Sequence, residues 1–397
     1  MKYAVILGDG MADRPIASLQ NKTPIEVASI PNIDALAKLG QTGLVKTVPD
    51  CFSPGSDVAN LSVIGYAPEI YYSGRSPLEA LSMGISMSDT DVAIRCNLVT
   101  LGDSPLSMID YSAGEITTSE ANELVAEVNS AFGSSSLCFY PGTSYRHCLI
   151  IKSPTNPEKM KLVPPHDIIG KPIAEFLPRG EMSDQLTRLM LDSADVLKKS
   201  PVNLKRISEG KNPATNIWLW GAGMRPQLKS FKHLYKLDGA VISAVNLLRG
   251  IAFGAGMQSP IVDGATGTLS TNLDGKIKAA IDAFKTGCDY VYLHIEAPDE
   301  CSHQGDLTGK IKAIERVDYA VDKIWKYLIQ SGEDYVLAVL PDHATPISIR
   351  THSREPVPYV VYKSLKPFNS QIEYSEKAAS MGIYLAKGQD IIKTMLS

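Results

Sequence analysis

The chain reads as an α/β protein: a doubly wound, mostly parallel sheet forms the core, and a smaller α+β cap is inserted into it. Three observations predict this. Apolar runs at KYAVIL (2–7), YVYLHI (290–295) and YVLAVL (335–340) each lead into a turn or an acidic cluster, as buried strands do. Between the last two, Ile311, Ile314, Val317, Val321, Ile324 and Leu328 recur at spacings of three and four, with charged residues on the other faces, which is the pattern of an amphipathic helix. Finally, more than half of the 397 residues separate an early polar cluster at Ser56 from the related clusters near the end, so something stands between them.

The first run stops at Gly8-Asp9-Gly10, a turn signal and not a helix continuation. PGSD (54–57) precedes SDVANLSVIGY, which opens a helix. From about Met87 the pattern changes: DVAIRCNLVTL (91–101) and SYRHCLIIK (144–152) alternate like antiparallel strands. Residues 117–132 begin with a Thr/Ser and Glu capping pattern before a helical run. The polar, Pro-bearing stretch 199–216 reads as a return linker, and IWLWGAG with GAVISAVNLLRGIAFGAGM (239–257) reads as core strand and helix. The strand, helix and strand over 290–340 form a βαβ unit, whose right-handed crossover makes its strands parallel. The expected division is a discontinuous core, 1–86 and 206–397, and a cap over 87–205.

Four short clusters carry the chemistry. They hold Asp9; Ser56; Asp299 and His303 in APDECSH (297–303); and Asp342, His343 and His352 in LPDHATPISIRTH (340–352). Singly, an Asp between glycines is a turn residue and a Ser before Asp is a helix cap. Together they supply three imidazoles and three carboxylates at strand ends, where open α/β sheets bind ligands. That donor set suits two divalent ions such as zinc or manganese, with cobalt also compatible, and the absence of thiolates argues against a structural zinc site. Two such ions clamp the attacking and leaving oxygens of a phosphoryl transfer. Ser56, at the positive end of a helix, is then placed as nucleophile, and its phosphorylated form is stabilised there.

Composition narrows the classes. A formal net charge of −4 offers no general field for nucleic acid or an anionic membrane, and 44% hydrophobic residues give ample core for two domains. Six cysteines, at 51, 96, 138, 148, 288 and 301, form no CxxC pair, which fits reduced thiols in a cytoplasmic protein; Cys301 reads as a small spectator beside the site. The first apolar run is too short for a secretory signal, and no run approaches a membrane span. Gly254-Ala-Gly256 runs on to Ser259, an incomplete dinucleotide fingerprint, and no GxxxxGK[ST] is present. Met224, Met257, Trp218 and Trp220 read as packing residues.

GDGMADRP (8–15), TPIEVASIPNIDALAKLGQTG (23–43), PGSDVANLSVIGY (54–66), YYSGRSPLEA (71–80), DVAIRCNL (91–98), HIEAPDECSHQGDL (294–307) and LPDHATPI (340–347) closely resemble the archaeal-type, 2,3-bisphosphoglycerate-independent phosphoglycerate mutases of the alkaline phosphatase superfamily. The resemblance spans nearly the whole chain. It implies an alkaline-phosphatase-type core with two metal ions, a phosphoserine intermediate, a small phosphorylated three-carbon acid as substrate and no 2,3-bisphosphoglycerate. It assigns Asp299, His303 and His352 to one ion and Asp9, Asp342, His343 and the nucleophile Ser56 to the other. A mutase must return its phosphoryl group to glycerate and not to water, which gives the cap a purpose. Arg95, Arg146 and Arg75 are the candidates for binding substrate carboxylate or phosphate, with His147 and His166 beside them. A metal-dependent phosphatase and a homoserine kinase-like phosphotransferase are the alternative readings, and a non-catalytic binding protein stands behind them.

Overall fold

The computed structural model describes residues 1–152 and 155–397. Its strands, in chain order, are β1 (Lys2–Gly8), β2 (Gln41–Val45), β3 (Val92–Asp103), β4 (Leu106–Asp110), β5 (Leu137–Thr143), β6 (Arg146–Ile151), β7 (Met160–Lys161), β8 (Arg179–Gly180), β9 (Asn216–Met224), β10 (Gly239–Ile242), β11 (Tyr290–Ile295), β12 (Tyr335–Leu340) and β13 (Val357–Lys363). They divide between two compact units, residues 1–72 with 228–397, and residues 73–227.

The first unit is built on a six-stranded sheet of order β10-β11-β1-β12-β13-β2. β10, β11, β1 and β12 run parallel, and β13 is antiparallel to both its neighbours. β11 and β12 are fully buried, which is why they read as continuous apolar runs without alternation. The expected βαβ unit is present with β1 lying between its two strands, so all three end at one edge. The crossover helix, Leu307–Ser331, buries Ile314, Val317, Val321, Ile324 and Leu328 against Ile6, Leu293 and Val339 of the sheet and Ile33, Ile277 and Phe284 of two other helices. The helices Ser56–Ile64, Asn246–Gly254 and Asp390–Leu396 form a second group, in which Ser56–Ile64 touches both of the others. Asn246–Gly254 packs on β10, and Asp390–Leu396 on β12 and β13. The sheet edge at β2 is closed by a passing segment: Ile383 N–H donates to the Thr42 carbonyl at 3.1 Å and Leu385 N–H to that of Leu44 at 2.8 Å. This segment crosses so close to Gly43 that any Cβ there would run into the Ile383 carbonyl.

The second unit is organised by β3. It pairs antiparallel with β6 over residues 92–97, with β4 over 100–103 and, along its other edge, with β9. The helices Thr118–Phe132 and Ser183–Leu197 bury Leu124, Val128, Leu186 and Met190 against Ile94, Leu98, Leu149 and Ile217 of that sheet. The capping box at Thr117 and Glu120 is formed.

The division is wider than the 87–205 expected from sequence. IWLWGAG is β9, a strand beside β3 and no part of the first unit's sheet, because apolar composition marks a buried strand without saying which sheet it joins. The stretch 199–216 is no linker either. It contains the helix Pro201–Ser208, anchored by Asn203, whose amide donates at 2.8 Å to the carbonyls of both Leu197 and Ala214. A short helix with few apolar positions has the composition of a loop.

Two loops at the strand ends of the first unit are tied by Lys310. Its ammonium is fully buried and donates to Asp13 Oδ2 at 2.8 Å, the Thr345 carbonyl at 2.9 Å and the Ala12 carbonyl at 3.2 Å. Burial pulls its pKa below the usual lysine value, and the Asp13 carboxylate opposes that pull. Removing one partner of a buried pair leaves the other charge unpaired, at a cost of about 3–5 kcal/mol. Lys310→Met is therefore expected to lower unfolding stability by about that amount in chemical denaturation, where a surface change such as Lys326→Met would cost less than about 1 kcal/mol.

Candidate active site

Strand register brings the sequence clusters together. Leu7 pairs with Leu340 and Gly8 with Ile295, so Asp9 and Asp342 leave the sheet side by side, with the helix Ala297–Gln304 carrying Asp299 and His303 next to them. Gly10 makes the approach close. Its φ is +59°, its N–H donates to Asp342 Oδ1 at 3.1 Å, and a Cβ here would lie 2.5 Å from both Asp299 Oδ1 and Thr345 Oγ1.

All seven residues singled out from the four clusters converge. Asp9, Asp342 and His343 present ligand atoms to one common point, and Asp299, His343 and His352 to another, so His343 lies between the two groups. His343 Nε2 is 3.1 Å from Ser56 Oγ, 3.3 Å from Asp342 Oδ2 and 3.5 Å from Asp9 Oδ1. His303 Nε2 lies 3.1 Å from Asp299 Oδ2 and 3.0 Å from His352 Nε2, while its Nδ1 faces the Arg350 carbonyl at 2.9 Å. That carbonyl can only accept, so Nδ1 carries a proton and Nε2 is the nitrogen left for a ligand. Ser56 is the first residue of its helix, after an extended Gly55. Asn60, one turn on, donates to both the Ser56 carbonyl at 2.8 Å and Asp342 Oδ2 at 2.7 Å, and its own oxygen accepts from Tyr292 at 2.7 Å.

The electrostatics call for cations. Burial, then the neighbouring Asp342 and Asp299, push the Asp9 carboxyl well above the usual carboxylate range, and Asp9 Oδ1 is buried without a hydrogen-bond partner. Burial also pushes Asp299 upward, but hydrogen bonds from His303 and His352 outweigh it and hold the carboxyl well below its ordinary value. The Asp299 hydrogen bond in turn raises His303 to about 9. Behind Asp9, burial holds His294 neutral; it contacts Asp9 Oδ2 at 3.0 Å and Ser243 Oγ at 3.1 Å. Burial raises Glu296 to about 7 in spite of Lys276, whose ammonium lies 3.8 Å away. A crowd of carboxylates with an orphaned oxygen, faced by the Nε2 atoms of His303, His343 and His352, fits divalent ions.

The five substrate-binding candidates lie in the second unit and fare differently. Arg146 is exposed, its guanidinium 4.9 Å over the Tyr145 ring, and it has no ion-pair partner among the described residues. His166 packs edge-on against Tyr111 and Trp220. Arg95 stacks 4.4 Å over Trp220 but is already held by Glu79, to which Nε donates at 2.7 Å, and Arg75 shares that carboxylate at 3.0 Å. His147 is 4% exposed, and its Nδ1 accepts from the Gly142 N–H at 3.0 Å. Burial lowers its pKa to about 3, so it is a neutral interior histidine that presents no cation to a substrate. Sequence reasoning missed Asn60, Thr345 and His294, and it read Trp220 as packing alone. Asn60 was legible as the residue one helical turn beyond Ser56. Tyr111, Tyr145 and Trp220, which gather around Arg146, His166 and Arg95, gave no linear signal.

The chain is similar to known proteins over its whole length. A family model described as 2,3-bisphosphoglycerate-independent phosphoglycerate mutase matches residues 37–203. A protein of that name from Methanosarcina barkeri is 49% identical over 99% of this chain and 98% of its own length, and one from Ignicoccus hospitalis is 36% identical over 100% and 97%. Among solved structures, a Pyrococcus horikoshii protein matches at TM-score 0.82 with 29% identity, covering 100% of this chain and 96% of its own. A cofactor-independent phosphoglycerate mutase from Thermoplasma acidophilum matches at TM-score 0.70 with 25% identity, covering 100% and 99%.

The raised Asp9 carboxyl yields a signed expectation. Its protonated form is favoured by folding, so its contribution is complete below the ordinary carboxylate pKa of about 4 and is lost as pH rises through the elevated value. Asp9→Asn removes that repulsion. The metal-free variant should melt at least about 1 °C above metal-free wild type at neutral pH, the shift that ~1 kcal/mol gives a protein of this size, yet gain less from added manganese. Both are read by calorimetry with and without the ion; a metal-free variant less stable than wild type would contradict the expectation.

Proposed function

The chain belongs to the 2,3-bisphosphoglycerate-independent phosphoglycerate mutases, isomerases that interconvert 3-phosphoglycerate and 2-phosphoglycerate, and from that premise we propose that it carries the phosphoryl group on Ser56 at a two-ion site. The observation that supports this most is Ser56 Oγ, 3.1 Å from His343 Nε2 at the start of a helix and beside the crowded carboxylates.

Asp9, Asp342, His343 and Ser56 would hold one divalent ion, and Asp299, His303 and His352 the other. Manganese and zinc both suit the donors. When bound, such ions neutralise the phosphoryl oxygens and favour the ionised serine. Ser56 Oγ forms its bond to phosphorus as the bond from phosphorus to glycerate O3 breaks, and the serine proton is balanced by protonation of O3. The backbone N–H groups that open the Ser56–Ile64 helix face the resulting phosphate. In the return step, glycerate O2 bonds to phosphorus and gives up its proton as the bond from phosphorus to Ser56 Oγ breaks, and Oγ recovers a proton. Asn60 keeps Ser56 and Asp342 in register throughout.

In the second unit, Arg146 is proposed to bind the glycerate carboxylate, stacked over Tyr145, at one end of a run of ring contacts through Tyr111 and His166 to Trp220 and the Arg95 braced by Glu79. The six unpaired cysteines suit a reducing compartment, and we place the reaction in the cytoplasm as a step of glycolysis or gluconeogenesis. Phosphatase and phosphotransferase readings are not favoured, since the full-length relatives are named as mutases.

Ser56→Ala should lose activity on the order of 10⁴–10⁶-fold, as removal of a covalent nucleophile does elsewhere, while manganese still raises its melting temperature. Near-normal turnover in this variant would end the phosphoserine mechanism. For Arg146→Ala, loss of a charge-assisted hydrogen bond worth about 1.5–3 kcal/mol should raise KM and increase the ratio of free phosphate to 2-phosphoglycerate formed. Unchanged KM and partition would remove Arg146 from the substrate site.

A further inference from the structure

Thr345 stands three residues past Asp342 with its side chain fully buried. Its hydroxyl has a single proton. Asp299 Oδ1 lies 2.6 Å away and, as an ionised carboxylate, can only accept, so the proton goes there. His343 Nδ1 lies 3.1 Å from the same oxygen. Because the hydroxyl proton is already committed, that contact works only if the imidazole donates. His343 is thereby set as the Nδ1–H tautomer, and its bare Nε2 is the atom that faces Ser56, Asp342 and Asp9.

The hydroxyl is itself rigidly placed. Thr345 N–H donates to the Ala12 carbonyl at 3.1 Å, and its own carbonyl accepts from Lys310 Nζ at 2.9 Å. The missing side chain of Gly10 leaves room for it, since a Cβ there would meet Thr345 Oγ1 and Asp299 Oδ1 at 2.5 Å. Between Gly10 and the buried backbone, Oγ1 has little freedom to choose other partners.

The geometry points to Thr345 as a positioning residue that couples the two ion sites, orienting Asp299 of one and His343 of the other through one hydroxyl. This rests on the two-ion reading above. An ion held by Asp299 fixes that carboxylate, the carboxylate fixes the hydroxyl proton, and the remaining lone pair fixes the imidazole. Each ion then meets a ligand already turned toward it, so loss of the hydroxyl weakens both sites together.

The test is a manganese titration, by calorimetry, of metal-free wild type, Thr345→Val and Thr345→Ser. Valine keeps the shape and removes the hydroxyl; serine keeps the hydroxyl and removes the methyl group. Wild type should bind two ions, Thr345→Val should bind both about 10–100-fold more weakly, and Thr345→Ser should stay within about threefold of wild type, the loss being typical of an outer partner of a metal ligand. Should the valine variant fail to fold, Thr345→Ala gives the same readout. Wild-type affinities in the valine or alanine variant would overturn the proposal, as would a serine variant as weak as valine, which would make the methyl packing responsible. Fewer than two ions on wild type would fell the two-ion reading and this coupling with it, an outcome visible without any variant.

Discussion

The site depends on a buried ammonium that touches none of its ligands. Lys310 reaches from the crossover helix to the loops that follow β1 and β12 and bonds to both. Parallel strands deliver Asp9 and Asp342 to one edge, and beyond it the two loops meet in isolated bridges from Met11 and Ala12 to Ala344, with Thr345 N–H donating to the Ala12 carbonyl at 3.1 Å. The lysine adds a side-chain tie to that backbone contact. It is matched by Asp13, whose Oδ2 also accepts from the Ile347 N–H at 3.1 Å, so the clamp ties the second loop at two points. A charge this deep is tolerated only with such complete satisfaction, and that completeness is what makes the loops stiff enough to carry a multi-ligand centre.

Within the rigid frame, the two groups of ligands are electrostatically unequal. Asp299 stands among three imidazoles and remains ionised, whereas Asp9 faces Asp342 with one orphaned oxygen and is driven toward protonation. The first arrangement is nearly self-neutralised; the second carries an excess of negative charge that a proton on Asp9 or an added cation would relieve. His294, held neutral behind Asp9 and oriented by Ser243, supports the carboxylate without contributing a positive charge. The buried Lys276 lies 3.8 Å from Glu296 and is drawn by the Asp9 carboxylate as well, so it offsets part of the negative charge from a distance.

How much of this could be read in the sequence follows from range. Asp9, Asp342 and His343 lie just after a recognisable strand, Asp299 and His303 lie on the helix that follows β11, His352 lies in the loop beyond β12 and Ser56 opens a recognisable helix, so local pattern plus the rule that parallel strands end together nominated them. The order of the sheet was not legible, because β1 enters between β11 and β12 from the far end of the chain. The division at 73 and 227 escaped for a related reason: β9 belongs with β3 through pairing across more than a hundred residues. Thr345 and the Arg95–Glu79 pair were equally hidden. Their roles are defined by what lies across space from them, and a lone threonine or glutamate in sequence says nothing of that.

What distinguishes a mutase from a hydrolase cannot reside in the ligands alone, because two ions and a serine serve either outcome. The difference must lie in how long glycerate stays while phosphorus is on the enzyme. The second unit concentrates groups suited to that task on β3, β6 and β9 and the segments beside them. Among the described residues Arg146 has no ion-pair partner, whereas Arg95 has given its charge to Glu79 and its face to Trp220. A guanidinium already paired cannot take a substrate carboxylate without releasing its partner. Under the proposed mechanism Arg95 therefore shapes the aromatic wall, and holding glycerate while phosphorus is on the enzyme falls to Arg146.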